Sequence, residues 1–304
     1  MTSAIVLDHV TKSFGSKVAV SALELEIPVG GLYGFIGPNG AGKTSTIRLI
    51  MSILFPDEGS VRVLGESSAL AAKDRIGYLP EERGLYRKMK VGAFLIYMAR
   101  LKGVEERLIR ERVGRWLERV SLADAEKKRC EELSKGMQQK VQFVTAVIHE
   151  PDLLILDEPF SGLDPVNMRL LRELVVEQHA RGATILFSTH VMPQAEQICE
   201  HIVMIHEGRK VLDESLGAVR ARYDPKTVLL EPLDAATDVR ALASVTGVEA
   251  IDTTERGYAI RLGSGADVSA VLGRIVAVAP PRHLELERPS LEDVFIELVG
   301  KKLE

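Results

Sequence analysis

Residues 32–54 read LYGFIGPNGAGKTSTIRLIMSIL: an apolar strand, a glycine loop closed by Lys43 and Thr44, then a helix. Gly37, Gly40 and Gly42 let the backbone curl so that successive N–H groups point at phosphate oxygens. They do so at the start of a helix whose dipole favours anions. In that setting Lys43 reaches the β- and γ-phosphates of a nucleoside triphosphate, and the Thr44 hydroxyl ligates Mg²⁺. Pro38, Asn39, Ala41 and Ser45 complete the nucleotide-contacting set. The helix carries Ile47, Ile50 and Leu54 at core-facing spacing. A glycine turn without a ligand is the plainer alternative, but every fixed position of the loop is matched and its flanks are a strand and a helix.

Working outward, LLILDEP at 153–159 buries four apolar residues and then ends in two acids, Asp157 and Glu158. Adjacent carboxylates at the end of a buried strand need a cation or a substrate to meet. A second apolar strand, TILFS at 184–188, runs into Thr189 and His190, with the helical stretch MRLLRELVVEQHA between the two. Short continuous apolar strands alternating with helices predict a parallel sheet covered on both faces. The first thirty residues instead alternate apolar and polar (Ile5, Leu7; Leu23, Leu25, Ile27), which predicts antiparallel strands. From about Lys90 to Val147 the spacing is helical, with Leu108, Ile109, Val113, Trp116, Leu117 and Val120 forming one stripe. VMIHEG and GRKVLDES close this part. After about Ala218, TVLLEP, GVEAIDTT and YAIRLG read as strands, and 266–278 and 290–302 as helices. Ser290 caps the last, with Asp293 three residues on. No chemistry-bearing motif occurs there, so 218–304 reads as a separate accessory α+β domain.

At 304 residues the chain is long enough for one large and one small domain. A formal net charge of −4 gives no electrostatic reason to bind nucleic acid or an anionic membrane surface. Cys130 and Cys199 lack metal-ligand spacing and read as reduced structural thiols. The N-terminus shows no signal-peptide stretch. VGAFLIYMARL at 91–101 is about half of the roughly 20 apolar residues a membrane helix needs, and Arg100 interrupts it. If the protein works in transport, the pore belongs to another chain.

One further motif, LSKGM at 133–137, lies between the glycine loop and the acid-bearing strand. With that order the chain resembles the ATP-binding cassette (ABC) family. The resemblance implies an α/β P-loop NTPase core, RecA-like, with an N-terminal antiparallel β subdomain and an inserted helical subdomain at about 86–147. The cassette is residues 1–217, followed by the small C-terminal α+β domain at 218–304. ATP and Mg²⁺ are the implied substrate and cofactor. Asp157 then holds the Mg²⁺ shell, Glu158 is the general base, and His190 is the switch histidine that meets the γ-phosphate. The other six histidines read as structural. Ser134 and Gly136 belong to the loop that closes over a partner's ATP, and Asp164 in SGLD to the loop that crosses between two cassettes. Phe14, in VTKSFG, stands where the family stacks an aromatic on adenine.

Two positions depart from the family pattern. Lys135 replaces a glycine of the commoner LSGGQ, and Glu81, in GYLPEERGLY, replaces a glutamine that touches Mg²⁺ or the lytic water. Three stretches resemble the ABC-2-type exporters, in particular NatA-like sodium-efflux ATPases: GYLPEERGLY, LSKGMQQKVQ and PSLEDVFIELVG. The partners so implied are a second cassette, most simply an identical one, and transmembrane permease subunits, with no nucleic acid. Membrane contact would be made only through the permease, from the cytoplasmic face. A rival class is an ABC ATPase acting on ribosomes or nucleic acid, but such proteins carry paired cassettes or long insertions that this chain lacks.

Overall fold

The computed structural model describes residues 2–82, 84–222, 227–234, 237, 239–263, 265–287 and 290–300. The chain divides into two compact units, Met1–Leu216 and Gly217–Glu304. Strands and helices are numbered in chain order.

At the centre of the first unit lies β3 (Leu32–Ile36), the apolar strand of the glycine loop, buried along its whole length. It sits between β7 (Thr184–Thr189) and β8 (His201–His206) in a six-stranded sheet. The other members are β5 (Ile76–Leu79), β6 (Leu153–Asp157) and β9 (Arg209–Ser215), in the order β5-β6-β7-β3-β8-β9. All neighbours run parallel except the β8–β9 hairpin. Every residue of β6 and β7 is buried, as expected of parallel strands covered on both faces. Register then decides where the chemistry falls. Ile36 pairs with Thr189, and Asp157 with Ser188, so β3, β6 and β7 end side by side. The carboxyl edge of an open parallel sheet is where such folds bind ligands.

A second sheet, antiparallel, has the order β2-β1-β4, from β1 (Ser3–Phe14), β2 (Lys17–Pro28) and β4 (Glu58–Val63). Its inward residues Ile5, Leu7, Leu23, Leu25 and Ile27 share one core with Phe35 of β3 and with Ile47 and Ile50 of α1 (Lys43–Ile50). Helix α1 is shorter than the spacing predicts, and Leu54 lies beyond its end. Ser52 adopts φ 54, and the N–H groups of Ser52 and Ile53 return to the carbonyls of Leu49 and Arg48. That is a Schellman stop. Leu54 still packs, partly buried, against the core.

The helical insertion consists of α2 (Val91–Leu101), α3 (Glu106–Arg119) and α4 (Lys135–Val147). The α3 stripe buries Ile109, Val113, Trp116 and Leu117, while Leu108 is only partly covered. Trp116 meets Phe143 of α4 edge-on, with ring centroids 6.3 Å apart. In one respect the sequence reading needs correction: the LSKGM segment is not a loop followed by a helix. Ser134 is the N-cap of α4, its hydroxyl accepting from the Met137 N–H at 3.3 Å, and Lys135 and Gly136 already lie in the first turn. A serine followed by a donor-rich turn makes capping locally favourable. Helix α5 (Pro165–Ala180) is capped likewise by Asp164, and α6 (Met192–Glu196) and α7 (Leu216–Arg222) follow.

The second unit holds β10 (Thr227–Pro232), β11 (Val248–Thr254), β12 (Gly257–Leu262), α8 (Val268–Val278), β13 (Pro281–Glu287) and α9 (Leu291–Gly300). The sheet order is β11-β12-β10-β13, all antiparallel. Strand β13 was not legible beforehand, because PRHLELE offers only two large apolar residues. Its register sets Leu284 and Leu286 opposite Leu230 and Val228 of β10. Positions 301–302, included in the predicted last helix, lie outside the described residues. Among the described residues no helix is long and apolar enough to cross a membrane.

Candidate nucleotide site

Helix α1 begins without a side-chain cap, on Gly42, and has no acid in its first turn. Its leading N–H groups are therefore free to meet an anion. The loop before it cannot carry side chains at two points. A Cβ on Gly37 would stand 2.2 Å from the Ile205 carbonyl, and one on Gly42 2.4 Å from that of Ala19. Both glycines also have positive φ, 157° and 109°. Over the loop lies a cleft of about 400 Å³ lined by Phe14, Lys17, Ala19, Asn39, Gly40, Gly42, Lys43, Thr44, Ser45, Glu81 and Glu158. Phe14 is half exposed at its mouth. The Lys43 ammonium donates to the carbonyls of Gly37 at 2.7 Å and Pro38 at 3.1 Å. Burial lowers the Lys43 pKa, and the charges of Glu158, Asp157 and Glu81 oppose that shift.

Asp157 ends β6, fully buried, and among the described residues neither of its carboxylate oxygens has a hydrogen-bond partner in good geometry. Burial raises its pKa, while the hydroxyls of Ser188 and Thr44, which face it, lower it. A buried acid with two orphaned oxygens beside a threonine hydroxyl fits a hard divalent cation. Among the described residues no three His, Cys, Asp or Glu gather as a metal cage.

Glu158 follows in the left-handed region, at φ 50. A bulky residue sits there only when its surroundings hold it. Its N–H donates to the Ser188 carbonyl at 2.9 Å. Its carboxylate accepts from the Thr189 hydroxyl at 3.0 Å and the His190 N–H at 2.8 Å, and the His190 Nδ1 lies 2.7 Å away. The side chain is thus aimed at the cleft by its β7 neighbours.

The remaining predicted residues lie outside the cleft. Ala41 is buried in the loop. Ser134 and Gly136 are exposed or partly exposed at the start of α4, and a Cβ on Gly136 would come 3.5 Å from Leu163. Asp164 accepts from the Asn167 N–H at 2.9 Å, and this contact holds its carboxyl below the usual range. One participant was missed in the sequence: Thr189, which was in view beside His190 and whose hydroxyl donates to Glu158.

Residues 20–161 match the family model described as ABC transporter, and residues 215–299 that of the ATP-binding protein DrrA1-3-like, C-terminal domain. The chain is 44% identical over 296 residues to the ABC transporter ATP-binding protein YhaQ of Bacillus subtilis (strain 168), covering 97% of this chain and 98% of that one. It is 34% identical over 310 residues to the Nod factor export ATP-binding protein I of Paraburkholderia xenovorans (strain LB400), covering 99% of both. A solved ATP binding subunit of an ABC transporter superposes with TM-score 0.68 at 31% identity, covering 72% of this chain and 93% of that one. The chain belongs to the ABC transporter ATP-binding proteins, with a C-terminal accessory domain. It is an ATPase, and its family works with ATP and Mg²⁺.

Proposed function

We propose that the chain is the ATP-hydrolysing subunit of an ABC-2-type exporter, dimerising on ATP to drive a separate permease from the cytoplasmic face. The observation that carries hydrolysis is the fixed Glu158 carboxylate, held by Thr189 and His190 on the wall of the cleft that holds Lys43. In this reading Glu158 takes the proton of the attacking water. Lys43 and the free N–H groups of the loop bind the β- and γ-phosphates, and Phe14 stacks on adenine. His190, engaged through Nδ1, presents its other ring nitrogen to the γ-phosphate. Thr44 and Asp157 would hold Mg²⁺ with Glu81 alongside, and the ion supplies charge neutralisation at the phosphates. Ser134 and Gly136 of a second copy close the site, and Asp164 lies on the crossing loop. Residues 1–217 are the cassette, 86–147 its helical subdomain and 218–304 the accessory domain.

Export as the direction is supported by the full-length similarity to a Nod factor export ATP-binding protein. GYLPEERGLY and LSKGMQQKVQ make sodium the cargo to test first, ahead of drug-like and lipid-like molecules. Affinity purification of the chain from solubilised membranes of its own host tests the partner. A stoichiometric protein of several membrane spans is expected. Ribosomal RNA in its place would favour the non-transport class and overturn this reading.

A further inference from the structure

Helix α4 touches more than the helices around it. On consecutive turns it carries two buried glutamines, Gln139 and Gln142, each of which donates to main chain beside an acid of the cleft. Gln139 Nε2 donates to the Pro159 carbonyl at 2.9 Å, next to Glu158. Gln142 Nε2 donates to the carbonyls of Pro80 at 3.3 Å and Glu82 at 3.2 Å, which flank Glu81 on both sides. Glu81 itself reaches the nucleotide cleft and acts electrostatically on Lys43 and Asp157.

The cost of this arrangement is visible. Gln142 Oε1 is buried and has no partner among the described residues. Leaving such an acceptor unpaired is unfavourable, and an apolar residue of the same shape would avoid that penalty only by depriving the Pro80 and Glu82 carbonyls of their donor. Turning the amide over would set its oxygen against two carbonyls, so the orientation is dictated by the 80–82 segment. A glutamine placed for packing alone has no reason to make this trade.

We propose that Gln142 is a positioning residue, holding the main chain on both sides of Glu81 so that this carboxylate faces the phosphate cleft. Because Ser134 caps the same helix, a shift of α4 when its first turn meets a neighbour's triphosphate is passed through Gln142 to this chain's own Glu81. The inference rests on the reading of Glu81 as part of the hydrolytic site.

The test compares Gln142→Met, which keeps length and loses the donor, with Glu81→Ala and the double variant, all in the full chain. In nucleotide-free protein, amide hydrogen exchange at 76–85 should quicken about tenfold in Gln142→Met, as expected for two ordinary buried hydrogen bonds, while β6 and β7 stay protected. With Mg-ATP, kcat should fall by a similar factor at nearly unchanged KM. In the Glu81→Ala background Gln142→Met should cost nothing further in kcat. Should Gln142→Met not fold, Gln142→Leu, which also lacks the donor, carries the same expectation. Unchanged exchange at 76–85, or additive losses in the double variant, would overturn the positioning role. Full activity of Glu81→Ala alone would instead overturn the reading of Glu81.

Discussion

Lys43 and Asp157 show burial working on opposite charges: it lowers the lysine and raises the acid, while the Asp157 charge favours the ionised lysine. Cleft residues of this kind were legible because chemistry is written locally. GPNGAGKT and LLILDEP each hold their functional groups within a few positions. Thr189 and Gln142 were not legible, since their contacts with Glu158 and the 80–82 segment exist only once β7 and α4 are packed. His149 is a further case, and it carries a prediction. Its Nε2 lies 3.1 Å from the Ile76 carbonyl, and its Nδ1 is buried with no partner among the described residues. Burial, reinforced by the nearby Lys102 charge, lowers its pKa from 6.5 to about 4. Between those values the unfolded chain binds the extra proton, so stability is complete above pH 6.5 and is lost as the pH falls toward 4. Replacing His149 by Gln, which keeps the donor, should make the drop in melting temperature from pH 7 to pH 5 smaller by roughly 4–8 °C, about 2 kcal/mol in a unit this size. A drop of the same size in both proteins would show that folding does not depress the pKa of this ring.

Among the elements, the parallel strands were readable as unbroken apolar runs, and β1 and β2 as alternation. Their register was not readable, although it is what sets Ile36, Asp157 and Thr189 at one edge. Strand β13 escaped notice because charge alternates with only two leucines. Helix α9, by contrast, was read from its cap, and the cap is present. The Asp293 N–H donates to Ser290 Oγ at 3.2 Å, and the Ser290 N–H donates back to the Asp293 carboxylate at 2.9 Å. Loss of such a cap costs about 1 kcal/mol. Ser290→Ala should therefore speed amide exchange along Leu291–Gly300 about fivefold and leave ATP binding untouched. If nucleotide affinity fell as well, the second unit would bear on the cleft in a way its separate sequence does not suggest.

For the molecule as a whole, the residues outside the cleft say most about how it works. Ser134 and Gly136 stand at the exposed start of α4, whose first-turn N–H groups can meet an anion, yet neither lines this chain's own cleft. In the proposed dimer a second copy would give them a purpose, with each α4 facing the triphosphate held by the other chain's Lys43. Glu158→Gln keeps the shape of the base and removes its proton affinity, so ATP should persist in the cleft and hold two chains together. General-base loss of this kind is worth about 10²–10⁴ in rate, enough for the bound state to outlast a sedimentation run. Adding Ser134→Arg places a long cation where close approach is required, and the dimer should revert to monomer at the same Mg-ATP concentration. Sedimentation of both variants with and without Mg-ATP reads the outcome. A folded, ATP-loaded monomer in Glu158→Gln alone would remove the composite site and leave the exposed turn at Ser134 without a role.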